Sequence, residues 1–163
     1  MPENARLEVL QLTKETTFEK LYRAQRRQED TWDELTIVGQ ELDETLKAKR
    51  QALQSAISAW EKYEDLYSKY MPVLKRIEHD STNMHGSSEN DNAIMRRAIR
   101  RIFNNAKREV ERHNKSATAN TTRLERIEEE YESALKAHKI AHISAKYALQ
   151  NYRTAMDAFN KLL

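Results

Sequence analysis

Apolar side chains recur along this chain in alternating steps of four and three, the period of a helix that buries one stripe. From Phe18 the row runs through Leu21, Gln25, Gln28, Trp32, Leu35, Gly39, Leu42, Leu46, Lys49, Leu53, Ala56, Trp60, Tyr63, Tyr67, Tyr70, Leu74 and Ile77. A neighbouring row of Leu10, Ala24, Val38, Ala52, Ala59, Leu66 and Val73 widens the stripe to three positions in seven. A two-stranded coiled coil needs only two, so a stripe this wide predicts burial against more than one helix.

The pattern stops at residues 79–92, a polar stretch without apolar periodicity that reads as a loop. A second register then runs from Ile99 and Phe103 through Ala106, Val110, His113, Ala117, Asn120, Leu124, Ile127, Tyr131, Ala134, His138, Ala141, Ala145, Ala148, Tyr152, Ala155 and Phe159 to Leu162. The expected fold is all-α, a single helical domain over 1–163. Arm one covers about 5–78, the polar loop 79–92 and arm two about 93–162. Matching arms predict a long antiparallel hairpin in which residue i faces about residue 171 − i. At 1.5 Å per residue each arm would reach on the order of 100 Å.

Three local signals oppose continuous arms. Gly39 costs about 1 kcal/mol inside a helix and suits a helix end. Pro72 removes a backbone donor and crowds Ser68, which predicts a kink near Tyr70. Thr122 and Glu125 form a capping-box pattern after the helix-poor run 114–122. Breaks at both Gly39 and Asn120 would give a compact four-helix bundle instead. The first register passes Gly39 without a phase slip and no turn-forming cluster surrounds it, which favours the hairpin.

Composition narrows the class further. Of the 163 residues 33% are charged and 39% hydrophobic, a thin supply for a round core but enough for one stripe per helix. With two Gly and two Pro, the frequent turns of a sheet protein are excluded. The absence of cysteine removes disulfides, thiolate metal sites and cysteine nucleophiles. The start, Met-Pro-Glu-Asn-Ala-Arg-Leu, lacks an apolar signal core, and no run approaches the ~18 apolar residues of a membrane span. A soluble intracellular protein, most simply cytoplasmic, is expected.

No catalytic constellation stands out. His138 and His142 share a helical face at a spacing that can hold a metal, but Lys139 sits where a hydrolytic zinc helix carries Glu. No Glu-x-x-His pattern is present for a di-iron bundle. His138 and His113 read as polar seam residues that set register. Glu128, Glu129, Glu130 and Glu132 spread around the outside of a helix, where a carboxylate stays solvated. Trp60, Tyr63, Tyr67 and Tyr70 fit a packed seam better than a base-stacking platform, because they follow the apolar register. Neither an enzyme, a cofactor, a metal nor a small-molecule substrate is expected.

Charge and surplus apolar surface point to partners. The net charge is only +2, yet between Ile94 and Ser116 eight cations (Arg96, Arg97, Arg100, Arg101, Lys107, Arg108, Arg112, Lys115) face only Glu109 and Glu111. Helical geometry puts Arg97, Arg100, Arg101, Arg108 and Arg112 broadly on one side, a candidate anion-binding face for nucleic acid or an acidic membrane. The hairpin register brings Glu61, Glu64 and Asp65 across from this segment, where they would answer part of its charge. In the C-terminal third, Ile140, Ile143 and Tyr147 lie outside the register, and Leu135, Leu149, Met156 and Leu163 broaden it. Two helices cannot cover all of these, so Ile140, Ile143, Tyr147 and Leu149 are expected to bind a partner helix or a second copy. The expected function is a coiled-coil interaction or scaffold module acting as a homodimer or with a partner helix. Anion binding through 96–115 is the second reading.

Overall fold

Each arm is one uninterrupted helix: α1 spans Glu3–Asp80 and α2 spans Ser87–Asn160. The computed structural model describes residues 3–80 and 87–162. The four-helix alternative is therefore overturned, and the reason lies in how the weak spots are absorbed. Gly39 stays helical because Leu35 and Leu42, on either side in the stripe, are buried or half-buried against α2. A Cβ built at Gly39 would meet the Tyr131 ring at 3.5 Å, an ordinary contact. Gly39→Ala should therefore raise the unfolding free energy by about 0.5–1 kcal/mol, the helix-propensity gain, read from urea titrations of both chains.

The run 114–122 stays helical by turning its polar side chains back on the helix. Thr118, Thr121 and Thr122 donate to the carbonyls of Asn114, Ala117 and Thr118 at 3.0, 3.0 and 3.2 Å. The Asn120 side-chain amide donates to the Ser116 carbonyl at 2.9 Å. Groups that would otherwise favour a cap or a turn are thus spent on i−4 carbonyls, and Thr122 caps nothing. Pro72 lies inside α1 and is exposed, so water can reach the carbonyl it leaves unpaired.

The connector is shorter than the polar stretch suggested. Helix occupies 79–80 and resumes at Ser87, and the part of the expected loop over 81–86 falls outside the described residues. Glu89, in the first turn of α2, complements the positive end of the helix dipole, which helps a polar segment without apolar period become helical.

The helices run antiparallel in the expected register. Phe18 meets Tyr152 (ring centroids 5.6 Å) and Trp32 meets His138 (5.2 Å). Tyr67 meets Phe103 at 6.0 Å, and Lys62 reaches Glu109 at 3.5 Å. The residue numbers in each of these pairs sum to within two of 171. The chain divides into two compact units: Met1–Asp43 with Arg126–Leu163, and Glu44–Glu125. The first has Leu21, Leu35, Ile127, Ala134, Ala141, Ala145 and Ala155 at its core. The second buries Ala56, Ala59, Ile77, Ile99, Ala106, Val110, Ala117 and Leu124. Alanine recurs along the α2 side of the first unit, where it leaves room for the larger leucines of α1.

On α2 every residue of the expected register is buried or half-buried. On α1 the stripe divides. The row Leu21, Gln28, Leu35, Leu42, Lys49, Ala56, Tyr63, Tyr70, Ile77 and the row through Leu10, Ala24, Val38, Ala52, Ala59, Leu66, Val73 face α2. The third row flanks the seam: its members Phe18, Trp32, Leu53, Trp60 and Tyr67 remain 43–57% exposed, while Leu46 and Leu74 are half-buried. Thr45, in the second row, is 1% exposed, and its hydroxyl has no hydrogen-bond partner among the described residues. Thr45→Val keeps the shape and removes an unsatisfied polar atom, so it should stabilise the fold by about 1–2 kcal/mol. A lower thermal midpoint for this variant would contradict that.

Candidate functional site

Three surfaces stand out once the seam is assigned. The first is the third row of α1. In the first unit it borders a groove of about 610 Å³ lined by Gln25, Gln28, Glu29, Trp32, Asp33 and His138. In the second it borders a groove of about 310 Å³ lined by Trp60, Tyr63, Lys107, Val110 and Glu111. The aromatic set expected to form one packed seam therefore splits. Tyr63 and Tyr70 are half-buried in it, whereas Trp60 and Tyr67 sit at its edge, about half exposed, with Tyr67 touching the Phe103 ring. About 60° around the helix separates the two fates, because neighbouring rows of a helix face different surroundings.

The second surface is in the C-terminal part of α2. Ile140, Ile143 and Tyr147 are 53–65% exposed and share one side of the helix. Leu149 does not join them. At about 100° per residue it lies on the far side from Ile140, half-buried at the edge of the seam. Of the four residues expected to bind a partner, three therefore share one exposed face and Leu149 does not.

The third surface is the basic segment. Arg97, Arg100, Arg101, Arg108 and Arg112 are all exposed, and none has an ion pair among the described residues. The expected answer from Glu61, Glu64 and Asp65 is not made: these acids likewise form no ion pair among the described residues. The cross-helix pair in this region has the opposite sense, Lys62 of α1 with Glu109 of α2. Glu109 is one of the two acids inside the basic segment, and this pairing takes up its charge, which leaves Glu111 as the acid still available to the arginines. Both partners are largely exposed, so the bond itself contributes little stability.

The histidine pair is used by the hairpin. The Gln28 side-chain amide donates to His142 Nδ1 at 2.9 Å, and the Thr31 hydroxyl lies 3.3 Å from His138 Nδ1. The His138 ring also leans on Trp32. Among the described residues no group of three or more His, Asp or Glu side chains is placed to hold a metal ion. Glu128, Glu129, Glu130 and Glu132 are exposed, and Glu130 pairs with Arg126 at 3.6 Å. Among the described residues no helix is long and apolar enough to cross a membrane.

Sequence reasoning missed Thr45 and the half-exposed α1 row. Only the row had a signal, its third apolar position in seven. No family model, curated protein or solved structure matches this chain.

Proposed function

We propose that this protein is a non-enzymatic helix–helix interaction module that pairs with a second copy of itself through the half-exposed row of α1. One observation carries the reading. The α1 stripe is three rows wide, the hairpin buries two, and in the third two tryptophans, a phenylalanine, a tyrosine and a leucine stay near half exposure although Phe18, Trp32 and Tyr67 each lean one side of the ring on α2. Apolar surface of this kind on a soluble helix gains free energy when covered, at roughly 25 cal/mol per Å².

Charge favours a second copy as the occupant. In the first unit the row beside Phe18 and Trp32 carries the exposed acids Glu8, Glu15 and Glu29. In the second unit Lys107 shares the groove with Trp60 and the acid Glu111, and Arg100 precedes Lys107 by one heptad on the same row. A two-fold pairing would set the acid-flanked rings of one copy against the other's second-unit rings, where Lys107 and Arg50 stand beside Glu111 and Glu64. It so avoids placing the acidic row of one copy against that of the other. Light scattering should give twice the 19.2 kDa chain mass at micromolar concentration. A single-chain mass up to high micromolar concentration would overturn the self-association.

A further inference from the structure

The outward face of α2 near the connector is a separate surface from the α1 row and stands independently of the dimer reading. At about 100° per residue, Arg97, Arg101, Arg108, Arg112 and Lys115 fall within an arc of roughly 60° pointing away from α1. All five are exposed and none has an ion pair among the described residues. The row extends over roughly 27 Å at 1.5 Å per residue. Between residues 90 and 115 the only other side chains in a slightly wider arc are Ile94 and the amides of Asn90, Asn104 and Asn105, with no acid.

We infer that this face binds the phosphate backbone of a nucleic-acid duplex without regard to sequence. A straight line of unanswered cations suits a regularly charged polymer, since each neutralised phosphate releases condensed counterions. Asparagine amides between the arginines add donors for phosphate oxygens. An acidic membrane is the other polyanion of matching charge, and the burial pattern argues against it. A lipid-binding helix inserts an apolar face beside its basic one. Here the apolar face of α2, with Ile99, Ala106 and Val110, is buried against α1. The large apolar side chains left exposed in this segment are Ile94 and Met95, both at its connector end, too few for an inserting face.

The test uses the full chain and a 20-base-pair DNA duplex, read by fluorescence anisotropy across salt. About five phosphate contacts predict a log–log slope near −4.5, a loss of roughly 500-fold in affinity between 50 and 200 mM salt. Two duplexes of unrelated sequence should bind equally. Replacing Arg97, Arg101, Arg108 and Arg112 with Gln should reduce the slope to about −1, with Lys115 left, and weaken binding at 50 mM at least 100-fold. Replacing Lys136, Lys139, Lys146 and Arg153 with Gln removes the same charge from another part of α2 and should change binding less than 3-fold. Circular dichroism should show unchanged helicity in both variants, as the replaced side chains are exposed. The inference fails if no duplex binds at 50 mM salt, if the control variant loses as much as the arginine variant, or if phosphatidylserine vesicles bind and the duplex does not. The slope of the unmodified chain decides the matter even if a variant misfolds.

Discussion

Ile127→Ala should lower the unfolding free energy by about 2–5 kcal/mol, the range for truncating a large aliphatic side chain in a close-packed interior. Ile127 has 0% of its surface exposed, which only Thr45 approaches among the described residues. Truncation removes three heavy atoms from a site where water cannot enter and the helices cannot close without disturbing the heptads on either side. The loss therefore combines the transfer free energy of the deleted groups with the cost of a cavity. Ile37→Ala on the solvent side of α1 should move stability by no more than about 0.5 kcal/mol. Urea unfolding followed by far-ultraviolet circular dichroism compares the two directly. Equal effects at both positions would mean that the hairpin seam does not supply the stability.

The second large effect is on assembly. If the proposed dimer forms, replacing Trp60 and Tyr67 with Glu should convert it to single chains at concentrations where the unmodified protein pairs. Each large side chain contributes about 1.5–3 kcal/mol when fully covered. Losing two per copy should therefore raise the dissociation constant by at least about 100-fold. Helicity should largely persist, because Trp60 and Tyr67 flank the seam while Ala56, Ala59 and Ile77 are buried within it. The parallel variant, Ile143 and Tyr147 both to Glu, should leave the mass unchanged. Sedimentation equilibrium on both variants separates the surfaces: if only the second dissociates, the contact lies on the C-terminal part of α2 and the α1 assignment is lost.

The comparison between the two helices shows where a sequence stops being informative. On α2 the two-row register from Ile99 to Leu162 identified the buried face without error, because a strict alternation of four and three leaves one way to turn the helix. The antiparallel register was equally legible. A polar connector between arms of matching length sets which residues meet, and Lys62 with Glu109 or Phe18 with Tyr152 follow from it. On α1 three adjacent rows are apolar, and pattern alone cannot say which two the partner helix will take. Packing against α2 buried the rows of Leu21 and Ala59 and left Trp32 and Trp60 at its edge, half exposed.

The weak points of the helices show the same division. Gly39 and the run 114–122 carry local preferences of about 1 kcal/mol or less per residue, comparable with the gain from one partly buried side chain. Their outcome belonged to the tertiary structure, which stacks buried Leu35 and Leu124 close to them and rewards continuity. The basic segment was visible as a charge run, yet whether its arginines were answered depended on which α1 residues stood opposite. A charge count along one helix cannot show that Lys62, rather than Glu61 or Glu64, turns toward α2. That rotation is set by the seam, and it leaves the outward face of α2 positive.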